Sequence, residues 1–426
     1  DNSYFTNSDT NIETIWYFLK TCKEKGWLIE KYRPMPWCTR CGTSLSEHEM
    51  SDADAYRNDT CQAVFIKLPV INENFKMLVW TTTPWTLSSN VAIAVNPELK
   101  YSICRVKSDD KLICVCSTAT KVLKDDLISV EKEVMGSELV GKAYETCFEE
   151  LPLQNFVHKI VAWDQVDATE GAGSVHIAPG CGAEDFELGQ SIGLPNICPI
   201  DEGGIFYDNF GFLSGLDANK DETRDLVFAE LEKRGKLYYH HAYTHRYPHC
   251  WRCKSPILFR LIKEWAISMD ELRPMLISEA KKVEWQPAFY EKRMIDWLTN
   301  MGDWSISRKR YYGLPLPIYV CDCGEITVVG SKKELKDLAV EPSKVDKLPH
   351  LHRPYIDEVK IKCPHCGKPV ERIKDVGDCW LDAGIAPFST NKYFEDREFW
   401  EKNYPAECVI EMKEQIRLWF YSMLVM

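Results

Sequence analysis

The chain has 426 residues, 45% hydrophobic and 27% charged, which excludes a wholly disordered protein and exceeds what one ordinary hydrophobic core holds. No run approaches the roughly 18 apolar residues of a membrane helix, so no membrane partner is expected. The net charge of −12 argues against a nonspecific grip on a polyanion, leaving a shaped RNA met by local basic groups such as Arg308-Lys309-Arg310. The spacing of Ile12, Ile15, Trp16, Leu19 and Cys22 predicts a helix over Asn11–Gly26. From Ala63 the period shortens. Ala63–Val70, Lys76–Thr82, Asn90–Val95, Tyr101–Val106 and Lys111–Cys116 read as strands, close enough together to suggest a barrel or strongly curved sheet. Ser174–Ile177 reads as a strand, and Ala183–Ile192, Asp221–Arg234 and Gln286–Met301 as helices. Gly313-Leu314-Pro315-Leu316-Pro317 is too rich in proline for helix and reads as extended, and the tail pairs a strand, Glu407–Met412, with a helix from Lys413 onward.

Eighteen cysteines include four close pairs: Cys38 with Cys41, Cys250 with Cys253, Cys321 with Cys323, and Cys363 with Cys366. Close pairs on tight turns in a long chain read as reduced, metal-binding thiols, and four thiolates suit one tetrahedral zinc. Gly42, Gly324 and Gly367 follow three of the pairs, and Lys254 stands in that place after Cys253. The last two pairs lie close in sequence and make a natural zinc ribbon. If the first two share an ion, it clamps the ends of the β-rich stretch between them. One or two zinc ions are expected, structural rather than catalytic, because four thiolates leave no position for water. A cytoplasmic compartment follows from the thiol usage. The other cysteines read as small buried hydrophobes. The first residue is Asp1 with no signal segment after it, and the apolar run Trp419–Met426 at the other end suggests a piece of a larger fold.

Three stretches carry candidate chemistry. Trp80-Thr81-Thr82-Thr83-Pro84-Trp85-Thr86-Leu87 ends a strand in three hydroxyls. Val175-His176-Ile177-Ala178-Pro179 puts a histidine at a strand end, and Glu184-Asp185 puts carboxylates in the first turn of a helix. Singly, each has a plain structural reading: β-propensity, a satisfied core histidine, a favourable helix start. Together they resemble the editing domain of isoleucyl-tRNA synthetase. The segments Trp304 to Pro317, Asp375 to Gly384 and Glu411 to Phe420 resemble the return into the catalytic core of class I synthetases, so the likeness covers nearly the whole chain. The two ATP-handling signatures of the class, of His-x-Gly-His and Lys-Met-Ser-Lys-Ser type, are missing.

The resemblance implies a mixed α/β chain: a β-barrel-like editing domain inserted in a partial Rossmann-type core, with zinc-ribbon knuckles. Its expected divisions are 1–55, partial core and first knuckle; 56–243, editing domain; 244–312, second knuckle and helical linker; 313–372, zinc ribbon; and 373–426, partial core. It implies hydrolysis of valyl-tRNA(Ile), with valyl-adenylate as a further candidate, on the 3′ end of tRNA(Ile) and alongside the remainder of the synthetase. ATP and Mg belong to the full-length enzyme alone. A pocket gains only about 1–3 kcal/mol from one methylene, so a second, hydrolytic pocket has to remove the smaller wrong product. Asp185 would bind the ammonium of the mischarged group, and His176 would line the side-chain pocket and exclude isoleucyl. Thr81, Thr82 and Thr83 would meet the terminal adenosine and ester, and Asn90 would hold the same end. The backbone of Gly171 to Gly173 would approach the substrate. Water positioned by these groups, rather than a covalent threonine, would attack the ester. Glu411, Gln415 and Trp419 match positions around the aminoacyl-adenylate. The alternatives are a valine-enzyme insertion acting on threonyl-tRNA(Val), and a zinc-ribbon tRNA-binding module without hydrolysis.

Overall fold

The computed structural model describes residues 4–45, 47–50, 55–152 and 156–426. The chain divides into two compact units, 33–262 and 1–32 together with 263–426.

The unit 33–262 is built on a nine-stranded mixed sheet. Its strands are β1 Tyr56–Pro69, β2 Phe75–Thr81, β3 Ala92–Val95, β4 Lys100–Val106, β5 Leu112–Cys116, β6 Leu127–Met135, β7 Lys159–Ala162, β8 Val175–Ile177 and β9 Leu237–Pro248. Ala63, Val64, Phe65 and Ile66 of β1 are all buried, as a run apolar on both faces must be when both are covered. The sheet forks at β2. One edge of β2 pairs in parallel with β5 at Phe75–Met77 and with β8 at Trp80. Its other edge pairs antiparallel with β1 from Lys76 to Thr81. One arm continues from β5 through β4 to β6, the other from β8 through β3 to β7. The second arm curls back. Ala143 bridges Lys159 of β7 and Tyr144 bridges Val70, while Ile71 N–H donates to the Ala143 carbonyl at 2.8 Å and Ile160 N–H to that of Lys142 at 2.9 Å. The backbone hydrogen bonds thus lead from β1 through β2, β8, β3 and β7 back to the end of β1. α1, Ala183–Ile192, follows β8, and α2, Asp221–Lys233, precedes β9.

In the other unit the predicted first helix spans Asp9–Glu24, and Ser8 caps it by accepting from Asn11 N–H at 3.2 Å. Its face Ile12, Ile15, Trp16 and Leu19 joins a core with Leu298, Leu314 and Leu316. Pro315 lies in an extended stretch, where its carbonyl accepts from Trp16 Nε1 at 2.9 Å. The short ladders, 304–305 with 266–267, 307–308 with 376–377, 318–320 with 326–328 and 361–362 with 369–370, are antiparallel. Three expectations fail here. Glu407–Met412 is not a strand: no described strand pairs with it, and Ile410 stands 87% exposed. A β-branched run without an edge to join has nothing to satisfy its backbone but water. The helix from Lys413 is broken into a tight turn, Lys413–Arg417, and a helix, Trp419–Val425, by Leu418 at φ −120°, ψ −104°. Cys379 and Cys408 are exposed, against the reading of the unpaired cysteines as buried, whereas Cys114 and Cys116 are buried as expected. No described helix is long and apolar enough to cross a membrane.

Candidate functional site

The strand β2 stops at Thr81, and Pro84 opens a tight helical turn, Pro84–Ser89, that folds the hydroxyls back on themselves. Thr81 Oγ1 accepts from Thr83 N–H at 3.1 Å and lies 3.2 Å from Thr83 Oγ1. Thr86 Oγ1 lies 2.7 Å from the Thr83 carbonyl and 2.9 Å from His176 Nε2. A hydroxyl has one proton and a carbonyl only accepts, so Thr86 donates to Thr83 and receives the Nε2 proton of His176. The imidazole is therefore held with Nδ1 bare. Nδ1 is buried and has no hydrogen-bond partner. Burial pushes the His176 pKa down to about 4, so the ring is neutral near pH 7.

Two residues further on, Ala178 N–H donates to Asp185 Oδ2 at 2.8 Å, drawing the carboxylate at the start of α1 against the end of β8. No cationic side chain of the described residues pairs with Asp185. Burial raises its pKa to about 6, the Ala178 bond opposing and Glu184 adding to the rise. Among the described residues Oδ1 has no partner, and it is an acceptor ready for an ammonium.

The other sequence-predicted residues fall differently. The structure brings Thr81, Thr83 and His176 into one hydrogen-bonded group through Thr86, with Asp185 on the same strand end. Thr82 lies between its neighbours with no hydroxyl partner among the described residues. Asn90 is buried and its amide is occupied: Oδ1 accepts from Tyr144 OH at 2.6 Å, Nδ2 donates to the Ala92 carbonyl at 2.9 Å, and its own carbonyl lies 3.0 Å from His158 Nε2. Its present role is to hold the end of the Pro84–Ser89 turn. The glycines Gly171 and Gly173, both at positive φ, are there for packing: a Cβ would meet Trp80 at 2.8 Å and Cys116 at 2.2 Å. Thr86, Tyr144 and His158 were missed. Thr86 lies in the threonine stretch three positions after Thr83, one helical turn on, and that spacing is its signal; Tyr144 and His158 carry no local signal.

The eight knuckle cysteines gather into two groups, Cys38, Cys41, Cys250 and Cys253, and Cys321, Cys323, Cys363 and Cys366, each with its sulfurs within 4.8 Å of one another. Close sulfur pairs lie at 3.4, 4.0, 3.5 and 3.7 Å. That is too long for a disulfide and near the ~3.8 Å edge of a tetrahedron with zinc–sulfur bonds of about 2.3 Å. The donor set and spacing fit one zinc in each group. Each knuckle closes through a backbone N–H bond of 2.8–2.9 Å from Gly42, Lys254, Gly324 or Gly367 to the first cysteine's carbonyl. Lys254 adopts φ +61° where the others are glycine, the same left-handed turn at a steric cost.

In the other unit, Glu411 is exposed, Gln415 accepts from Trp419 N–H at 3.2 Å, and the Trp419 ring donates to the Ala383 carbonyl at 2.8 Å. Of the basic tripeptide, Arg308 pairs with Asp378 and Lys309 with Asp375.

A family model described as tRNA synthetases class I (I, L, M and V) matches residues 1–426. The chain belongs to the class I tRNA synthetases. Similar relatives are the isoleucine–tRNA ligase of Clostridium novyi (strain NT), 41% identical over 429 residues, and that of Methanothermobacter marburgensis, 38% identical over 428; each alignment covers 100% of this chain and 40% of the relative. This synthetase chain thus spans about two fifths of the length of the curated relatives it matches. Among solved structures, one titled the crystal structure of GlLeuRS-CP1 aligns with 42% of this chain and 98% of its own at 15% identity, with a TM-score of 0.34.

Proposed function

We propose that the unit bearing Asp185 hydrolyses valyl-tRNA(Ile), and valyl-adenylate in the same pocket, as the editing part of an isoleucine–tRNA ligase. The observation that carries this reading is the strand end Val175–Ala178, which presents a neutral, half-satisfied His176 and a carboxylate with no cation of its own. Asp185 anchors the substrate ammonium. His176 Nδ1 offers an acceptor to the substrate or to water, while its ring limits the size of the side chain. Thr81, Thr82 and Thr83 meet the terminal adenosine and the ester. Threonine has no general base beside it, since the His176 nitrogen facing Thr86 carries its proton, which favours attack by positioned water. The division 56–243 is read as a barrel-like editing domain, which the returning hydrogen bonds of its sheet support. The flanking divisions 1–55, 244–312, 313–372 and 373–426 are read as linker, knuckles and partial Rossmann-type core. Zinc in the two cysteine groups is structural: it supplies cross-links, the first joining residues 209 positions apart. Activation with ATP and Mg, the 3′ end of tRNA(Ile) as partner, and Glu411, Gln415 and Trp419 as adenylate contacts belong to the complete ligase.

The deciding experiment compares hydrolysis of valyl-tRNA(Ile) and isoleucyl-tRNA(Ile) by the chain and by Asp185→Ala. Faster loss of the valyl ester, abolished by the substitution, is the expected result. Preference for a threonyl ester on tRNA(Val) would assign the chain to a valine enzyme, and tight tRNA binding without any hydrolysis would leave a binding module. Metal analysis should find two zinc ions per chain, with one lost in Cys41→Ser and one in Cys323→Ser.

A further inference from the structure

The ribbon formed by β1 and β9 carries a feature that hydrolysis does not use. Along one side of β9 and the residue that follows it, Tyr239, His241, Tyr243, His245, Tyr247 and His249 follow each other at every second residue, and successive ring centroids lie 5.6–6.2 Å apart. The period of two puts all six on one face. The rings from Tyr239 to Tyr247 are half-buried, so each keeps an outward part. The row begins beside the cysteine group at His249 and reaches Trp80, whose ring lies 5.2 Å from that of Tyr243. Trp80 directly precedes Thr81 of the candidate site. On the opposite side of the ribbon Phe228 of α2 stacks on His240 at 4.9 Å, and His240, Ala242, Thr244 and Arg246 are exposed.

Across the ladder the face continues in Phe65, Ala63, Cys61 and Asp59, the first two buried, and two of its tyrosine hydroxyls are held. Tyr247 OH donates to the Ile257 carbonyl at 2.8 Å and Tyr239 OH to that of Val122 at 3.2 Å, which fixes both rings, while Tyr243 OH has no partner among the described residues. Positive charge accompanies it. Lys124 Nζ lies 4.0 Å over the Tyr239 ring, and Arg57 stands opposite Tyr247 in the ladder. The acid on this face, Asp59, is paired with His249 Nε2 at 3.0 Å.

We propose that this row of rings is a stacking platform for a single strand of RNA, leading an unpaired 3′ end along β9 toward Thr81. The proposal rests on the editing reading for the identity of the strand. Bases stack on aromatic faces whatever their sequence, each such ring contributing about 1–3 kcal/mol. A chain with net charge −12 holds RNA by such contacts better than by bulk charge.

The test is fluorescence anisotropy of a labelled single-stranded oligoribonucleotide of about eight nucleotides on the full chain. Tyr243→Ala should weaken binding about tenfold and Tyr243→Ala with His245→Ala further, whereas Tyr243→Phe, which keeps the ring, should bind like the parent. Quenching of tryptophan emission on binding should fall in Trp80→Phe. Equal affinity of the parent and the ring-deleted chains overturns the proposal, as does a parent that binds no oligonucleotide, or a ring face that instead pairs two copies of the chain in sedimentation. Asp185→Ala should leave this affinity unchanged, so failure of the editing reading shows as absent hydrolysis with ring-dependent binding intact.

Discussion

Asp109 and Asp185 are two carboxylates of the same unit, both drawn out of water, and they are set in opposite ways. Asp109 receives Lys67 Nζ at 2.6 Å, Lys76 Nζ at 2.6 Å and the Lys111 N–H at 3.0 Å. Burial pulls its pKa upward, and the two lysines outweigh burial, so the net shift is downward. Asp185 has one backbone N–H and no cation, and burial wins, carrying its pKa up to about 6. A carboxylate that holds a fold together is supplied with its counter-charges. One that is left short of them stores an unmet demand for a cation, and a substrate ammonium answers it.

The largest effect that would test this contrast is Asp109→Ala. It strands two half-desolvated lysines and should destabilise the unit by about 3–5 kcal/mol, read from the denaturant midpoint. Asp185→Ala should do the reverse of that pattern: at least ~100-fold slower ester hydrolysis, or about 2.7 kcal/mol of transition-state stabilisation, with an unshifted or raised midpoint. If Asp185→Ala unfolds the chain as Asp109→Ala does, the two carboxylates are alike and the contrast is lost.

The pH dependence separates them next. Asp109, with a lowered pKa, contributes stability that is present above its unfolded value near 3.9 and is lost as the pH falls through its lower folded value. Asp185, with a raised pKa, contributes stability that is complete below about 3.9 and is lost as the pH rises through about 6. Hydrolysis runs opposite to that loss, because it needs the carboxylate: the rate should climb about tenfold per pH unit below 6 and level off above it. His176, neutral down to about 4, adds no second titration in that window. The smallest effect is Asp185→Asn, which keeps an acceptor for Ala178 N–H and removes the buried charge. It should gain about 1–2 kcal/mol of stability at pH 7 while losing hydrolysis, a trade that a purely structural Asp185 would not show.

The candidate site was legible to different depths. The threonine run, the histidine at the strand end and the aspartate in the first turn each stand in an uninterrupted local pattern, and the elements that carry them formed close to their predicted bounds, α1 among them over Ala183–Ile192. The proton arrangement at His176 was not legible. It depends on Thr86 facing the ring across 90 positions of sequence, and on the Thr83 carbonyl claiming the hydroxyl proton. Asn90 shows the same limit from the other side: its side chain reads as a substrate ligand in one dimension and is met by Tyr144 in three. The row of rings on β9 escaped because Leu237–Pro248 alternates tyrosine and histidine, neither apolar enough to mark a strand by burial alone.

Local sequence by itself determined the hydrogen-bonding turns of the knuckles, the helix starts and stops, and which residue types could do chemistry, because these depend on neighbours a few positions away. It also determined that the cysteines come as four pairs. Tertiary structure decided which pairs share a centre, where the sheet forks and returns, and which carboxylate is given a counter-ion. Glu407–Met412 marks the boundary between the two: it has the composition of a strand and no strand beside it. A strand is completed only by a partner's hydrogen bonds, and a pKa only by the charges and burial that surround the group; neither is a property of the residues alone.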